Sequence, residues 1–343
     1  MNTEQAVDRN LPDELTEKAV LELRNVSKVF DVRSSPLPWS KPSQLQAVHD
    51  VSLKIYPGET FALVGESGSG KSTLGRVALR LTEPTSGSIL FKGEDITSLP
   101  EAQLRGKRPQ MQVVFQDPYG SLNPRKSVGE AVAEPLRVFS NKSTGEVRRE
   151  VHRLFEEVGL DPSRLKARPR AFSGGQRQRV GVARAIALNP SLILADEALS
   201  ALDVSVQAQI ANLMVKIQQE LGVAYLFIAH GLPIVRQIAH RVGVMYLGSI
   251  VETARVDDLF DRPAHPYSRA LIGASPIPDP TVTRERILLT GEPPNALNPP
   301  SGCRFRTRCP LATDKCAAEV PPVVTVGPPE KQHTVACHYP LTD

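Results

Sequence analysis

From Val20 to Phe30 the chain alternates apolar and polar residues, VLELRNVSKVF, as a half-buried strand does. AVHDVSLKIYPGE, from Ala47 to Glu59, reads as a second strand. Between them, residues 31–46 hold three prolines and the only tryptophan, Trp39, which predicts an irregular insertion. TFALVGESGSGKSTLGRVALRL, Thr60–Leu81, predicts a buried apolar strand, a glycine-rich turn and a helix. Residues 117–170 mix turn signals such as DPYGSLNPR with a charged amphipathic helix, GEVRREVHRLFEEVGL. Helical texture continues through Val180–Leu188, and SLILADE, VAYLFIAH and RVGVMYLGSIVE then read as three buried strands. Strands alternating with helices predict an α/β layered domain with a largely parallel sheet.

The texture changes near Asp261. Half of the chain's 30 prolines lie beyond that point, so the segment is neither mainly helix nor central strand. It reads as a loop-rich appendage, too poor in apolar periodicity to order itself without a staple. Three regions are expected: a flexible N-terminus over 1–19, an α/β unit over 20–260 with a helical part at about 117–180, and a C-terminal extension over 261–343.

Composition adds little. The 343 residues are 41% hydrophobic and 23% charged, ordinary for a globular protein. A net charge of +4 does not argue for nucleic acid. No run approaches eighteen apolar residues, and the start, MNTEQAVDRN, has no signal-peptide core. A cytosolic setting is expected, where lasting disulfides are rare.

Gly65–Ser72, GESGSGKS, fits the phosphate loop G-x-x-x-x-G-K-[ST] in full, in the required strand–turn–helix context. Gly65, Gly68 and Gly70 let the backbone turn so that the N–H groups of Glu66, Ser67, Ser69 and their neighbours point at a phosphate. Lys71 adds a point charge, Ser72 offers a hydroxyl to Mg²⁺, and the helix entering through Thr73 adds its positive end. LILADE ends a buried strand in two carboxylates: Asp196 for the Mg²⁺ shell and Glu197 to orient or deprotonate water. FSGGQRQRV, Phe172–Val180, supplies a second anion site, a Ser173-Gly174-Gly175-Gln176 turn that opens a helix. Two phosphate-binding faces in one domain suggest two subunits that complete each other's sites.

On these motifs the chain resembles the ATP-binding subunit of an ABC transporter, over roughly Val20–His338. The resemblance implies a P-loop ABC-type ATPase with a RecA-like core, a β subdomain and a helical subdomain. It implies that Phe30 stacks on adenine, that Gln116 touches Mg²⁺ and water and links to the membrane partner, that Asp203 reaches across the dimer, and that His230 contacts the γ-phosphate. Two positions depart from the family pattern: Ala198 where Pro usually follows the catalytic Glu, and Gly231 where Asp often follows the His. AHPYSRALIGASPIPDP, GEPPNALNPPSGCRFRTRCP and QDPYGSLNPR are similar to the second ATPase of oligopeptide/dipeptide importers, a branch that includes nickel and glutathione importers. That implies a heterodimer with a non-identical ATPase, two membrane permeases, an extracytoplasmic substrate-binding protein, and a place at the cytoplasmic face of the inner membrane. A soluble ABC protein acting on ribosomes or DNA is the alternative.

All four cysteines, Cys303, Cys309, Cys316 and Cys337, fall in the extension with spacing C-x5-C-x6-C-x20-C. Two disulfides, a Zn²⁺ site and an iron–sulfur cube are the options. The spacing lacks the close pairs of zinc sites and suits a cluster better. The family resemblance implies a 4Fe–4S cluster, which would serve as the expected staple.

Overall fold

A computed structural model describes residues 18–32, 43–117, 120–229, 231–274, 292, 294–328 and 332–341. Most of the insertion at 31–46, with Trp39, lies outside the described residues, as do His230 and nearly all of the 1–19 segment.

The strands, in chain order, are β1 (Leu21–Val32), β2 (Ser43–Ile55), β3 (Thr60–Val64), β4 (Ser86–Phe91), β5 (Glu94–Asp95), β6 (Met111–Val114), β7 (Leu192–Asp196), β8 (Ala224–Ile228), β9 (Arg241–Tyr246), β10 (Ser249–Arg255), β11 (Val323–Thr325) and β12 (Thr334–Ala336). An antiparallel sheet runs β2-β1-β4-β5, and a larger mixed sheet runs β11-β12-β10-β9-β3-β8-β7-β6. The central pairs β6–β7, β7–β8, β3–β8 and β3–β9 are parallel. Strands β3, β7 and β8 are buried at every position, because a parallel sheet is covered on both faces.

The helices are α1 (Lys71–Ala78), α2 (Glu101–Leu104), α3 (Val128–Phe139), α4 (Thr144–Glu157), α5 (Gly174–Ile186), α6 (Val204–Leu221), α7 (Leu232–Ile238), α8 (Val256–Asp261), α9 (Pro266–Gly273) and α10 (Asp314–Ala318). The amphipathic reading of 145–160 gives α4, which buries Val147, Val151, Leu154 and Phe155 at helical spacing. A Ser143/Glu146 capping box starts it. Two apolar clusters form the core. One joins α1 to the antiparallel sheet through residues such as Leu21, Ile55, Leu74 and Val77. The larger one joins α3–α7 to the other face of the main sheet and takes in part of the extension. Among the described residues no helix is long and apolar enough to cross a membrane.

Two elements differ from the sequence reading. RVGVMYLGSIVE is a hairpin, β9 and β10 paired antiparallel, rather than one strand. Leu247 and Gly248 both take positive φ, the backbone that a two-residue hairpin turn needs. Helix α3 was not anticipated: it carries Pro135 inside its run, yet buries Val128, Val132 and Leu136.

The extension corrects the cysteine expectation. Among the described residues, which include all four cysteines, no group of three or more His, Cys, Asp or Glu side chains is arranged to hold a metal ion. Neither the 4Fe–4S cluster nor the zinc alternative is supported, and the four are free thiols. Burial raises the pKa of Cys303 and Cys309 and pushes that of Cys337 up to about 11. Cys303 and Cys316 belong to the main core, as small buried hydrophobes.

The extension is instead ordered by packing and pairing. Phe305 is fully buried against Tyr246, Tyr267 and His265, with ring centroids at 5.2, 5.4 and 5.6 Å. Strand β12 pairs with β10, so the tail extends the main sheet. Buried Glu252 accepts from the backbone N–H groups of Ala264 (2.7 Å) and His265 (2.8 Å) and meets His333 Nε2 at 2.7 Å. Phe305→Ala is therefore expected to cost about 3–5 kcal/mol. Urea unfolding checks this, and a loss below 1 kcal/mol would contradict packing as the source of order.

Candidate active site

The phosphate loop joins β3 to α1. Gly65 has φ +148, and a Cβ there would lie 2.1 Å from the Met245 carbonyl oxygen; Gly70 has φ +101 and caps α1. Only glycine fits such a backbone at such a close approach. Lys71 is buried, and its Nζ donates to the carbonyls of Gly65 (2.9 Å) and Glu66 (2.8 Å) and to Ser69 Oγ (3.3 Å). Burial lowers its pKa, opposed by the carboxylates of Glu197, Asp196 and Glu66. Lys71, Ser72, Thr73, Ser67, Gly68 and Glu197 line one cavity of about 320 Å³.

β7 delivers Asp196 and Glu197. Asp196 is buried; Oδ2 stands 3.7 Å from Arg76 Nη2, and Oδ1 has no hydrogen-bond partner among the described residues. An unpartnered buried carboxylate oxygen beside a phosphate loop suits a hard cation, so the donors present fit Mg²⁺. Glu197 sits at φ 50, and its carbonyl accepts from the Ser200 N–H (3.0 Å) and hydroxyl (2.9 Å). Gln116 is exposed and lines a second groove, of about 680 Å³, together with Asp196, Arg76 and Arg184. Thus Asp196 joins Gln116 along one groove, while Glu197 joins Lys71 and Ser72 in the other cavity.

The Ser-Gly-Gly-Gln turn starts α5, with Ser173 exposed. Not all of its N–H groups are available to an anion. A capping box uses two of them: Ser173 Oγ accepts from Gln176 N–H (3.3 Å), and Gln176 Oε1 accepts from Ser173 N–H (3.1 Å). Gly174 lies against Leu202, and a Cβ on Gly175 would meet Val206 at 2.5 Å. Asp203 caps α6, accepting from Val206 N–H (3.0 Å) and Ser205 Oγ (2.8 Å). Phe30 is 37% exposed, with Lys28 Nζ 4.9 Å from its ring centre. His230 lies outside the described residues. Gly231 has φ −96 and room for a Cβ, so its backbone needs no glycine.

Residues that the sequence did not flag also reach the cavity. Gln46, Ala47, Leu247 and Ala296 line it. Arg308 pairs with Glu66, and Tyr267 Oη accepts from the Glu66 N–H at 2.8 Å. Their separation in sequence left no local signal.

A glycine loop locked on a buried lysine, two carboxylates at the end of β7, one strand removed from β3, and a Ser-Gly-Gly-Gln turn opening α5 together mark an ATP-binding cassette ATPase. Comparison with known proteins agrees. A family described as "ABC transporter" matches residues 48–200, and "Oligopeptide/dipeptide transporter, C-terminal region" matches 251–316. The probable peptide ABC transporter ATP-binding protein y4tS of Sinorhizobium fredii is 50% identical over 93% of this chain and 90% of its own length. The oligopeptide transport ATP-binding protein AppF of Bacillus subtilis is 49% identical over 94% of this chain and 98% of its own. A dimeric ATP-binding cassette solved with ADP and Pi superposes with TM-score 0.61 at 28% identity, over 69% of this chain and 98% of that one. The chain belongs to the ATP-binding proteins of oligopeptide/dipeptide ABC transporters.

Proposed function

We propose that this chain is one of two non-identical ATPases that together energise peptide uptake through two membrane permeases, at the cytoplasmic face of the inner membrane. The observation that carries the pairing is the placement of the Ser173–Gln176 turn, which is exposed at Ser173, half-buried at the other three positions, and lines neither the Lys71 cavity nor the Gln116 groove. A site lacking that turn within its own chain calls for a second subunit to bring one. The peptide cargo rests on the C-terminal region match and on relatives named for peptide transport. An extracytoplasmic binding protein would deliver the peptide.

The residues divide the work as follows. Lys71 exchanges its bonds to the Gly65 and Glu66 carbonyls for phosphate oxygens, while the loop from Gly65 to Thr73 cradles the phosphates. Glu197 takes a proton from the attacking water, with His230 at the γ-phosphate. Ser72, Asp196 and Gln116 would hold Mg²⁺, which when bound neutralises phosphate charge. Phe30 offers its exposed ring to adenine, and Asp203 faces the partner. The unit 20–260, with its helical part at 117–180, is the cassette; the packing of α3 and α4 against α5 supports that division. Residues 261–343 form the extension.

The isolated chain is expected to be a poor ATPase that accelerates when its paired ATPase and permeases are added. In the reconstituted transporter, a peptide-loaded binding protein should stimulate turnover, and nickel- or glutathione-loaded ones should not. If the isolated chain hydrolyses ATP as fast as the complex, the obligatory pair is wrong.

A further inference from the structure

Glu66, second in the phosphate loop, is held from the extension. Its two carboxylate oxygens accept from Arg308 Nη1 at 2.7 Å and Nη2 at 3.0 Å, a two-pronged pair spanning 242 residues of sequence. Arg308 is itself only 5% exposed at the side chain, Glu66 27%. The guanidinium lies 5.9 Å from the centre of the Tyr246 ring, and Nη1 also reaches the Tyr246 hydroxyl at 3.5 Å. Phe305, three residues earlier, packs on that same Tyr246 and on Tyr267. Tyr267 in turn accepts from the Glu66 N–H. Arg304, on the same segment, donates to the Leu247 carbonyl (2.5 Å) and to Gln46 Oε1 (2.6 Å), and both of those residues line the Lys71 cavity. Ala296 lines it as well.

The Glu66 carboxylate matters because its field reaches the phosphate site: it is one of three carboxylates that act on the buried Lys71 ammonium. Left unpaired, it would add negative charge beside a triphosphate and weaken the attraction that Lys71 and the loop N–H groups provide. Its main chain also anchors the loop, since its carbonyl accepts from Lys71 Nζ and from the Ser69 N–H at 3.2 Å.

We propose that Arg308 is a positioning residue of the nucleotide site: by clamping and neutralising Glu66 it makes the C-terminal extension set the cassette's affinity for ATP. The inference rests on the reading of this loop as the ATP site. It assigns the extension a part in nucleotide binding through the back of the loop, without contact between Arg308 and the nucleotide.

The test measures Mg–ATP affinity of the full chain with a fluorescent ATP analogue, alongside melting without nucleotide. Arg308→Gln keeps most of the side-chain volume and removes the charge; it is expected to weaken ATP about tenfold, the scale of one charge-assisted pair. Adding Glu66→Gln to that variant removes the unpaired charge and should recover most of the loss. Arg308→Lys keeps charge without the two-pronged geometry, and should fall between wild type and Arg308→Gln. Unchanged affinity in Arg308→Gln overturns the proposal. So does an equally weak double variant, which would leave Arg308 a packing role only. Should Arg308→Gln fail to fold, the Lys variant decides: wild-type affinity there refutes a need for the paired geometry. Wild-type protein that does not bind ATP would instead sink the reading of the site itself.

Discussion

Glu197→Gln is expected to bind ATP and to hydrolyse it about 10²–10⁴-fold more slowly, the usual loss on removing a general base. The substitution removes the proton acceptor and leaves the phosphate cradle intact. Lys71, Ser72 and the loop N–H groups come from β3 and α1, and none depends on the Glu197 side chain for a bond described above. The backbone at Glu197 is secured separately. Its N–H donates to the Ile228 carbonyl at 3.1 Å and its carbonyl accepts from Ser200, so the positive φ persists in the variant. Melting without nucleotide should therefore match wild type. Single-turnover hydrolysis in the assembled transporter separates the binding and chemical steps, and carrying the equivalent change in the paired ATPase removes its contribution. Near-normal turnover in that doubly altered complex would remove Glu197 from the base role.

What the sequence made legible is what is local. The phosphate loop, the strand that precedes it and the helix that follows lie within one run of residues, and the glycine spacing carries the backbone requirement directly. β7 and β8 were legible because strands buried on both faces read as unbroken apolar runs. The β9–β10 turn was not legible, because Leu247-Gly248 lacks the Asn or Asp that usually marks such a turn. Helix α3 was masked by Pro135, whose cost is offset by tertiary burial of the helix face.

The cysteines show the opposite failure. Their clustering in sequence was real, but residue type and spacing do not fix burial, and Cys303 and Cys316 are taken into the main core. The residues that order the extension, Phe305 and Arg308, stood inside the same SGCRFRTRCP stretch. They carried no local mark, because their partners Tyr246, Tyr267 and Glu66 lie tens to hundreds of residues away. Pairings of that range become visible only once the fold closes them. The departures Ala198 and Gly231 were legible as departures; the structure adds that Ala198 is buried and that Gly231 has space around it.

Lys71→Ala is expected to abolish ATP-dependent stabilisation while leaving the nucleotide-free protein nearly as stable as wild type. Three acceptors lose a bond from Lys71, the carbonyls of Gly65 and Glu66 and the Ser69 hydroxyl, although the Glu66 carbonyl keeps the Ser69 N–H. An unsatisfied buried acceptor costs about 1–3 kcal/mol. Against this, the variant no longer buries an ammonium whose charge is disfavoured by burial, and the space left beside polar groups admits water. The two contributions oppose each other, so little net change in unfolding free energy is expected without ligand. With ATP the outcome is one-sided. The β- and γ-phosphate oxygens lose their point charge, and hydrolysis in the complex should fall about 10²–10³-fold, as when one electrostatic donor to a developing charge is removed. Ligand present at 100 times its dissociation constant stabilises a folded protein by about 2.7 kcal/mol. Thermal melts with and without Mg–ATP at that concentration should thus show a clear upward shift for wild type and almost none for the variant. An equal shift in both proteins would mean that Lys71 serves the loop's fold and not the nucleotide. A collapse of the nucleotide-free melt would mean that its three bonds outweigh the cost of burying its charge.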